Sequence, residues 1–324
     1  MLLSMLALLN VQTAQAFNTD TTISVAQGTR LNVENQGGDI VVKAWDRNQV
    51  RVQASHSRRT HIDVRLTGAV LSLEAEADRG PANMVDYEIT VPAWMALNLE
   101  GMYATVDVKG SRGTIAVETL DGDITVDGGA ESVKLATVQG RIVLTNARGR
   151  IEMNSVSEGI EASGLSGDIL AETVSGDIII ARSDARSLEI QTVSGELIYD
   201  GKIIDGGRYS LLTHSGNIAV SVLEGTNASV ATAVGSGEVR ASFPLPQSER
   251  PSRRRQTFRL GSGSATVELE TFSGSISLLR PAELTARLDR INQRRLERER
   301  MKQKSKPNHE QDHEQDDDHS PWSN

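Results

Sequence analysis

One short phrase returns along this 324-residue chain and limits what the chain can fold into. It is written ETLDGDITV, ATVQGRIVL, GLSGDILA, ETVSGDIII, QTVSGELIY, LTHSGNIAV and ETFSGSISL. The copies align on Gly122, Gly140, Gly167, Gly176, Gly195, Gly216 and Gly274, and degenerate copies sit at Gly38, Gly113, Gly149 and Gly237. Five and seven residues before the glycine come apolar side chains, as in Val133 and Leu135 or Leu188 and Ile190. Two and four after it the alternation resumes, as in Ile124 and Val126 or Ile178 and Ile180. Apolar side chains at every second position, many of them β-branched, mark a strand with one buried face. The Ser-Gly or Asp-Gly step between two such runs marks a bend. Each copy therefore reads as strand, corner, strand.

Spacing turns this unit into an architecture. From Gly113 to Gly176 the corners lie nine or eighteen residues apart, then nineteen (176 to 195) and twenty-one (195 to 216 and 216 to 237). Hairpins would not place the same residue at the same offset from every corner. Identical corners every 18 to 21 residues predict an all-β solenoid, in which each coil stacks like on like. Aliphatic side chains fill its interior as ladders, and neighbouring strands satisfy one another's N–H and C=O groups along the axis. One coil alone would not bury enough to fold; several stacked coils would. The aromatic content is only 3%, so the core must be aliphatic.

The outline along the chain follows. Residues 1–16, MLLSMLALLNVQTAQA, hold a short apolar run and an Ala14-Gln15-Ala16 ending, which predicts a signal peptide cleaved after Ala16. Residues 17–100 carry alternating runs such as LNVENQGGDIVVKAW and VDYEITVP, read as an N-terminal β region continuous with the solenoid and serving as its cap. Residues 101–280 are the solenoid repeats. Residues 281–306 form a basic helical segment, with apolar positions Leu284, Leu288, Ile291 and Leu296. Residues 307–324 are an acidic disordered tail. Cysteine is absent, so no thiolate serves as nucleophile or ligand, and no stretch is apolar enough for a transmembrane span.

Four motifs could carry chemistry. His309-Glu310-Gln311-Asp312-His313 spells the H-E-x-x-H of zinc peptidases, but a zincin needs that motif on a helix with apolar neighbours and a third ligand. Here the tetrapeptide HEQD is simply written twice, at 309–312 and 313–316, in a low-complexity tail, and no metal site or cofactor is predicted. The acidic residues after the corners (Asp39, Asp123, Asp168, Asp177, Glu196 and Glu238) could form a calcium-binding column, but acids are favoured beside bends and are read as solvated. The threonines three before the glycine (Thr119, Thr137, Thr173, Thr192, Thr213 and Thr271) share parity with the inward aliphatics and predict an interior hydroxyl ladder. His56, His61 and His214 have no partner in any recognisable spacing.

Two basic stretches remain. RPSRRRQTF, residues 250–258, reads as a loop before the last strand pair. Between Arg287 and Lys306 nine Lys or Arg stand against three acids, which makes peripheral contact with a membrane or anionic polymer a candidate role for 287–306. A net charge of −9 argues against nucleic acid as a partner.

The phrases LNVENQGGDIVVKAWDRNQVRV, VDYEITVPAWMALNL, the serial TVSGDI copies and FRLGSGSATVELETFSGSISL together resemble a bacterial family of β-strand-repeat, candidate-adhesin domains of unknown function. Its fold is called a toastrack, and the likeness covers roughly residues 20 to 280. The resemblance implies an exported, periplasmic or secreted β-solenoid with a scaffold or binding role toward an envelope protein or polysaccharide. It implies no catalytic residue. The alternative is a carbohydrate-active enzyme on the same scaffold, which would need clustered Asp, Arg or Lys on one face.

Overall fold

Strands that alternate apolar and polar side chains can stack without limit when each coil repeats the last, and most of this chain does so. The computed structural model describes residues 19–78, 80, 84–248 and 255–304. The expected signal peptide with its cleavage point after Ala16, residues 250–254 and the acidic tail with HEQDH lie outside them. The chain divides after Pro281 into two compact units.

The first unit is a β-solenoid with two parallel ladders. One contains Ile115–Asp121, Ser132–Gln139, Arg148–Ser155, Ser166–Ser175, the second half of Ile178–Ser194, and Arg208–Ser215. The other contains Ile124–Gly128, Ile142–Thr145, Ile160–Ser163, the first half of Ile178–Ser194, Leu197–Gly201 and Ile218–Ser221. Register is like on like: Val133 faces Ile115 on one side and Ile151 on the other. The residue two past the corner builds one interior column, Ile124, Ile142, Ile160, Ile178, Leu197 and Ile218, each fully buried. Each contributes about 1.5–3 kcal/mol by leaving water.

At both ends the coils do not stack in chain order. Arg30–Trp45 lies between Ala96–Ser111 on one side and Val70–Ala77 with Asp86–Pro92 on the other. Outside these, Thr60–Thr67 closes one ladder and Gln49–Ser55 with Thr19–Ser24 closes the other, all antiparallel. Likewise Ala265–Ser273 and Ile276–Leu279, last in sequence, slot between Arg208–Ser215 with Ile218–Ser221 and Ala228–Ser236 with Val239–Ala241. The stretch expected to be a loop at 250–258 is corrected in its described part. Arg255–Leu260 is a strand antiparallel to Ala228–Ser236. Repetition permits this reordering, because any coil offers its neighbour the same ladder. Reversing the outermost strand then blunts a parallel edge that would otherwise recruit further strands.

Most large buried side chains are aliphatic. Tyr87, Tyr199 and Tyr209 are the buried tyrosines, the last two with rings 5.7 Å apart. The Tyr209 hydroxyl donates to the Ala185 carbonyl at 2.8 Å and accepts from the Ile204 amide at 2.8 Å. Burial pushes both phenols above their ordinary pKa. The helix spans Pro281–Lys304, with proline at its first position and Glu283 in the first turn, where each suits the orphan N–H groups. Among the described residues no helix is long and apolar enough to cross a membrane.

Candidate functional site

The corner glycines fall into two rows, not one. Gly38, Gly122, Gly140, Gly176, Gly195, Gly216, Gly274 and Gly237 belong to one corner, in that spatial order, with Ala104 between Gly38 and Gly122 and Glu158 between Gly140 and Gly176. Gly113, Gly149 and Gly167 belong to the other, beside Met95, Glu131 and Gly149 respectively. The nine-residue steps are half-turns from one row to the other. In the first row an added Cβ at Gly216 would overlap the Gly195 carbonyl oxygen and lie 2.7 Å from its carbon. Stacking along the axis leaves no room for a side chain at Gly216. The glycine amides run the same way: Gly195 N–H donates to Ser215 at 3.0 Å and Gly216 N–H to Ser273 at 2.9 Å.

Two neighbouring positions brace this corner. Hydroxyls three before the glycine are buried and donate to corner carbonyls: Thr137 to Gly122 at 3.2 Å, Thr173 to Glu158 at 3.0 Å, Thr271 to Gly216 at 2.9 Å. The interior hydroxyl ladder is thus present, with Ser155 filling one rung toward Gly140 at 3.1 Å. The acids after the glycine differ from expectation. Asp123 and Asp177 are not merely solvated; each accepts the backbone amide of the next coil, Arg141 and Glu196, at 2.7 Å. Asn217 does the same for Ser275 at 3.0 Å. The position calls for a short acceptor to satisfy an N–H the bend leaves unpaired, and Asn serves as well as Asp. Among the described residues no group of three His, Asp or Glu side chains is placed to hold a metal ion.

The feature that the sequence reading passed over lies two residues before the glycine. In TVSG the threonine points inward, so the next residue points out, and here it is apolar in coil after coil. Met102, Leu120, Val138, Val156, Val174 and Val193 form an exposed column, continued by His214 and Phe272. Val174 is 47%, Val193 52% and Phe272 63% exposed, whereas the inward valines are close to zero. The His214 and Phe272 rings stack 5.0 Å apart, nearly parallel, so His214 has a neighbour that spacing did not reveal. The other two histidines also have partners: His56 shares a 2.8 Å hydrogen bond with Thr19, and His61 one of 3.1 Å with Glu76.

Beside this ridge runs a trough. A cleft of about 640 Å³ lies along Glu172, Val174, Gln191, Val193, Leu212, Glu270 and Phe272. A second, of about 390 Å³, repeats the arrangement nearer the N-terminal end with Glu34, Glu100, Met102, Glu118 and Leu120. A third cleft, about 560 Å³, holds Trp45, Trp94 and the Arg112–Asp46 pair at 3.6 Å. Displaced titrating groups lie elsewhere. Hydrogen bonds from Thr145 and Asn146 hold the Asp127 carboxyl below its ordinary value, and Arg51 does so for Asp20.

Two stacked parallel ladders, capped by reversed strands and carrying an exposed apolar column along one corner, define a β-solenoid with an extended wall. The profile of the Toastrack DUF4097 family matches residues 28–279, and the chain belongs to that family. It is similar to the crystal structure of a candidate adhesin from Parabacteroides distasonis, at 14% identity and a TM-score of 0.34, over 80% of this chain and 96% of that one. It is also similar to a candidate adhesin from Parabacteroides merdae, at 12% identity and a TM-score of 0.33, over 80% of this chain and 95% of that one. Comparison with curated proteins returns no match.

Proposed function

We propose that this protein is an exported, non-enzymatic binding module or scaffold of the cell envelope, and that it engages its partner along the ridge and trough. The observation that carries the reading is the exposed apolar column, repeated at one position of successive coils. Isolated exposed valines are ordinary; a contiguous row rimmed by polar side chains marks an interaction surface. The other outward positions are mixed, with polar residues such as Glu118, Asn154, Glu172 and Glu270 interspersed with apolar ones such as Leu170 and Leu212, whereas this column is apolar at six successive rungs. The leader MLLSMLALLNVQTAQA supports export to the periplasm or beyond, and the family supports an extended binding surface.

Val174→Lys with Val193→Lys tests this. Both side chains are about half exposed, so the variant keeps its circular dichroism and unfolding midpoint. Tagged full-length protein is incubated with an envelope fraction and recovered. A loss of at least five-fold in recovered partner is expected; recovery equal to the parent protein overturns the proposal.

A further inference from the structure

We infer that the trough receives a cationic peptide segment carrying apolar side chains at helical spacing, an inference that rests on the binding role proposed above.

Charge on the face selects this partner. The trough presents Glu34, Glu100, Glu118, Glu172 and Glu270, and Glu152, Glu189 and Glu268 stand one column farther out on the same ladder. Among the described residues of these outward columns the one Lys or Arg is Lys134, held 3.1 Å from Glu118. Asn98 donates to Glu100 at 3.0 Å, and Arg150 to Glu152 at 2.9 Å. Among the described residues Glu34, Glu172 and Glu270 have no hydrogen-bond or ion partner. An apolar ridge beside a series of carboxylates, three of them without a partner among the described residues, complements a segment that is apolar on one side and basic on the next.

The same charges remove the other occupants. A second copy laid face to face would bring carboxylate against carboxylate. An anionic lipid surface or a nucleic acid would meet a row of like charge. A purely apolar segment would strand the carboxylates under it without a counter-charge.

Length and pitch fit a helix. Strands in one ladder lie about 4.8 Å apart, so the eight rungs from Met102 to Phe272 extend about 34 Å. At 1.5 Å per residue that is about 22 residues of helix, and its turn of about 5.4 Å runs close to the rung repeat.

The probe is a dye-labelled helical peptide of about 22 residues made only of leucine and lysine, titrated by fluorescence anisotropy against the full chain. Binding that weakens with added salt is expected. Glu172→Gln with Glu270→Gln should weaken it at least five-fold, while Asp184→Asn with Asp200→Asn, equal in charge but off the face, should leave it within two-fold. Equal binding of a leucine–glutamate peptide, equal loss in both double variants, or no effect of the Gln pair overturns the inference. A leucine–serine peptide binding as tightly also overturns it, since the carboxylates would then do nothing. The two proposals fail separately. If Val174→Lys with Val193→Lys abolishes envelope recovery but the leucine–lysine peptide does not compete with it, the binding role stands and the cationic partner falls. If that variant recovers its partner undiminished, the binding role itself falls.

Discussion

Replacing Gly216 by alanine isolates the steric demand of the stacked corner from backbone strain. Gly216 does not have a left-handed φ, so alanine can adopt its backbone without penalty. Its methyl group, however, would overlap the Gly195 carbonyl oxygen and stand 2.7 Å from the carbonyl carbon, where ordinary contact begins at 3.4 Å. Relief needs the two coils to part locally by on the order of 1 Å. Across that joint run Gly195 N–H to Ser215 at 3.0 Å and Leu197 N–H to Asn217 at 2.9 Å. The Thr213 hydroxyl also reaches the Gly195 carbonyl there, at 3.4 Å. Losing them at about 1 kcal/mol each, with some loosening of the aliphatic column, gives roughly 3–5 kcal/mol. The reference is Gly68→Ala, where φ is +58° and nothing lies within 4 Å of the new Cβ. That change costs only the left-handed backbone, about 1–2 kcal/mol. Urea unfolding followed by circular dichroism, compared at equal slope, reads the difference. If Gly216→Ala is no more destabilising than Gly68→Ala, close approach of coils is not why glycine occupies this row.

Two further outcomes concern the tyrosines. Tyr87 is fully buried and its hydroxyl has no hydrogen-bond partner among the described residues, so Tyr87→Phe should be neutral or stabilising by up to about 1 kcal/mol, read as an unchanged or raised urea midpoint. Tyr199 and Tyr209 have phenols raised mainly by burial, so the folded state holds their protons more tightly than the unfolded chain does. Their contribution is complete below the unfolded value of about 10 and is lost as pH rises from there through the folded values. In a Tyr103→Phe background, which removes the exposed tyrosine, alkaline titration should show tyrosinate absorbance appearing together with loss of circular dichroism; tyrosinate absorbance well before unfolding would contradict the burial.

How much of this was legible differs from residue to residue. Val133, Leu135 and Ile142 announce their inward direction by parity with a glycine, because a strand's side chains alternate regardless of what surrounds it. The inward threonines follow from the same parity, and the outward Val174 and Val193 could have been found by it too. They were missed because valine in a strand is habitually counted as core. Asp123 and Asp177 gave no sign of bracing the next coil, since an acid beside a bend looks the same whether it faces water or an unpaired amide. Arg255–Leu260 was hidden by the run of arginines before it, which resembles a loop until an edge strand is there to pair with.

The order of elements and the size of the repeat were settled by the amino-acid sequence alone, because strand parity, bends and coil length are local properties with a period that can be counted. Which coil lies beside which was settled only by the tertiary structure. Every coil offers an equivalent ladder, so any stacking order satisfies the local pattern equally. The structure places Ala265–Ser273 between Arg208–Ser215 and Ala228–Ser236, with the reversed Arg255–Leu260 on the outer side of the latter. The trough has the same origin: Glu172 and Glu270 are far apart in the chain and meet on one face because the last coil is drawn inward.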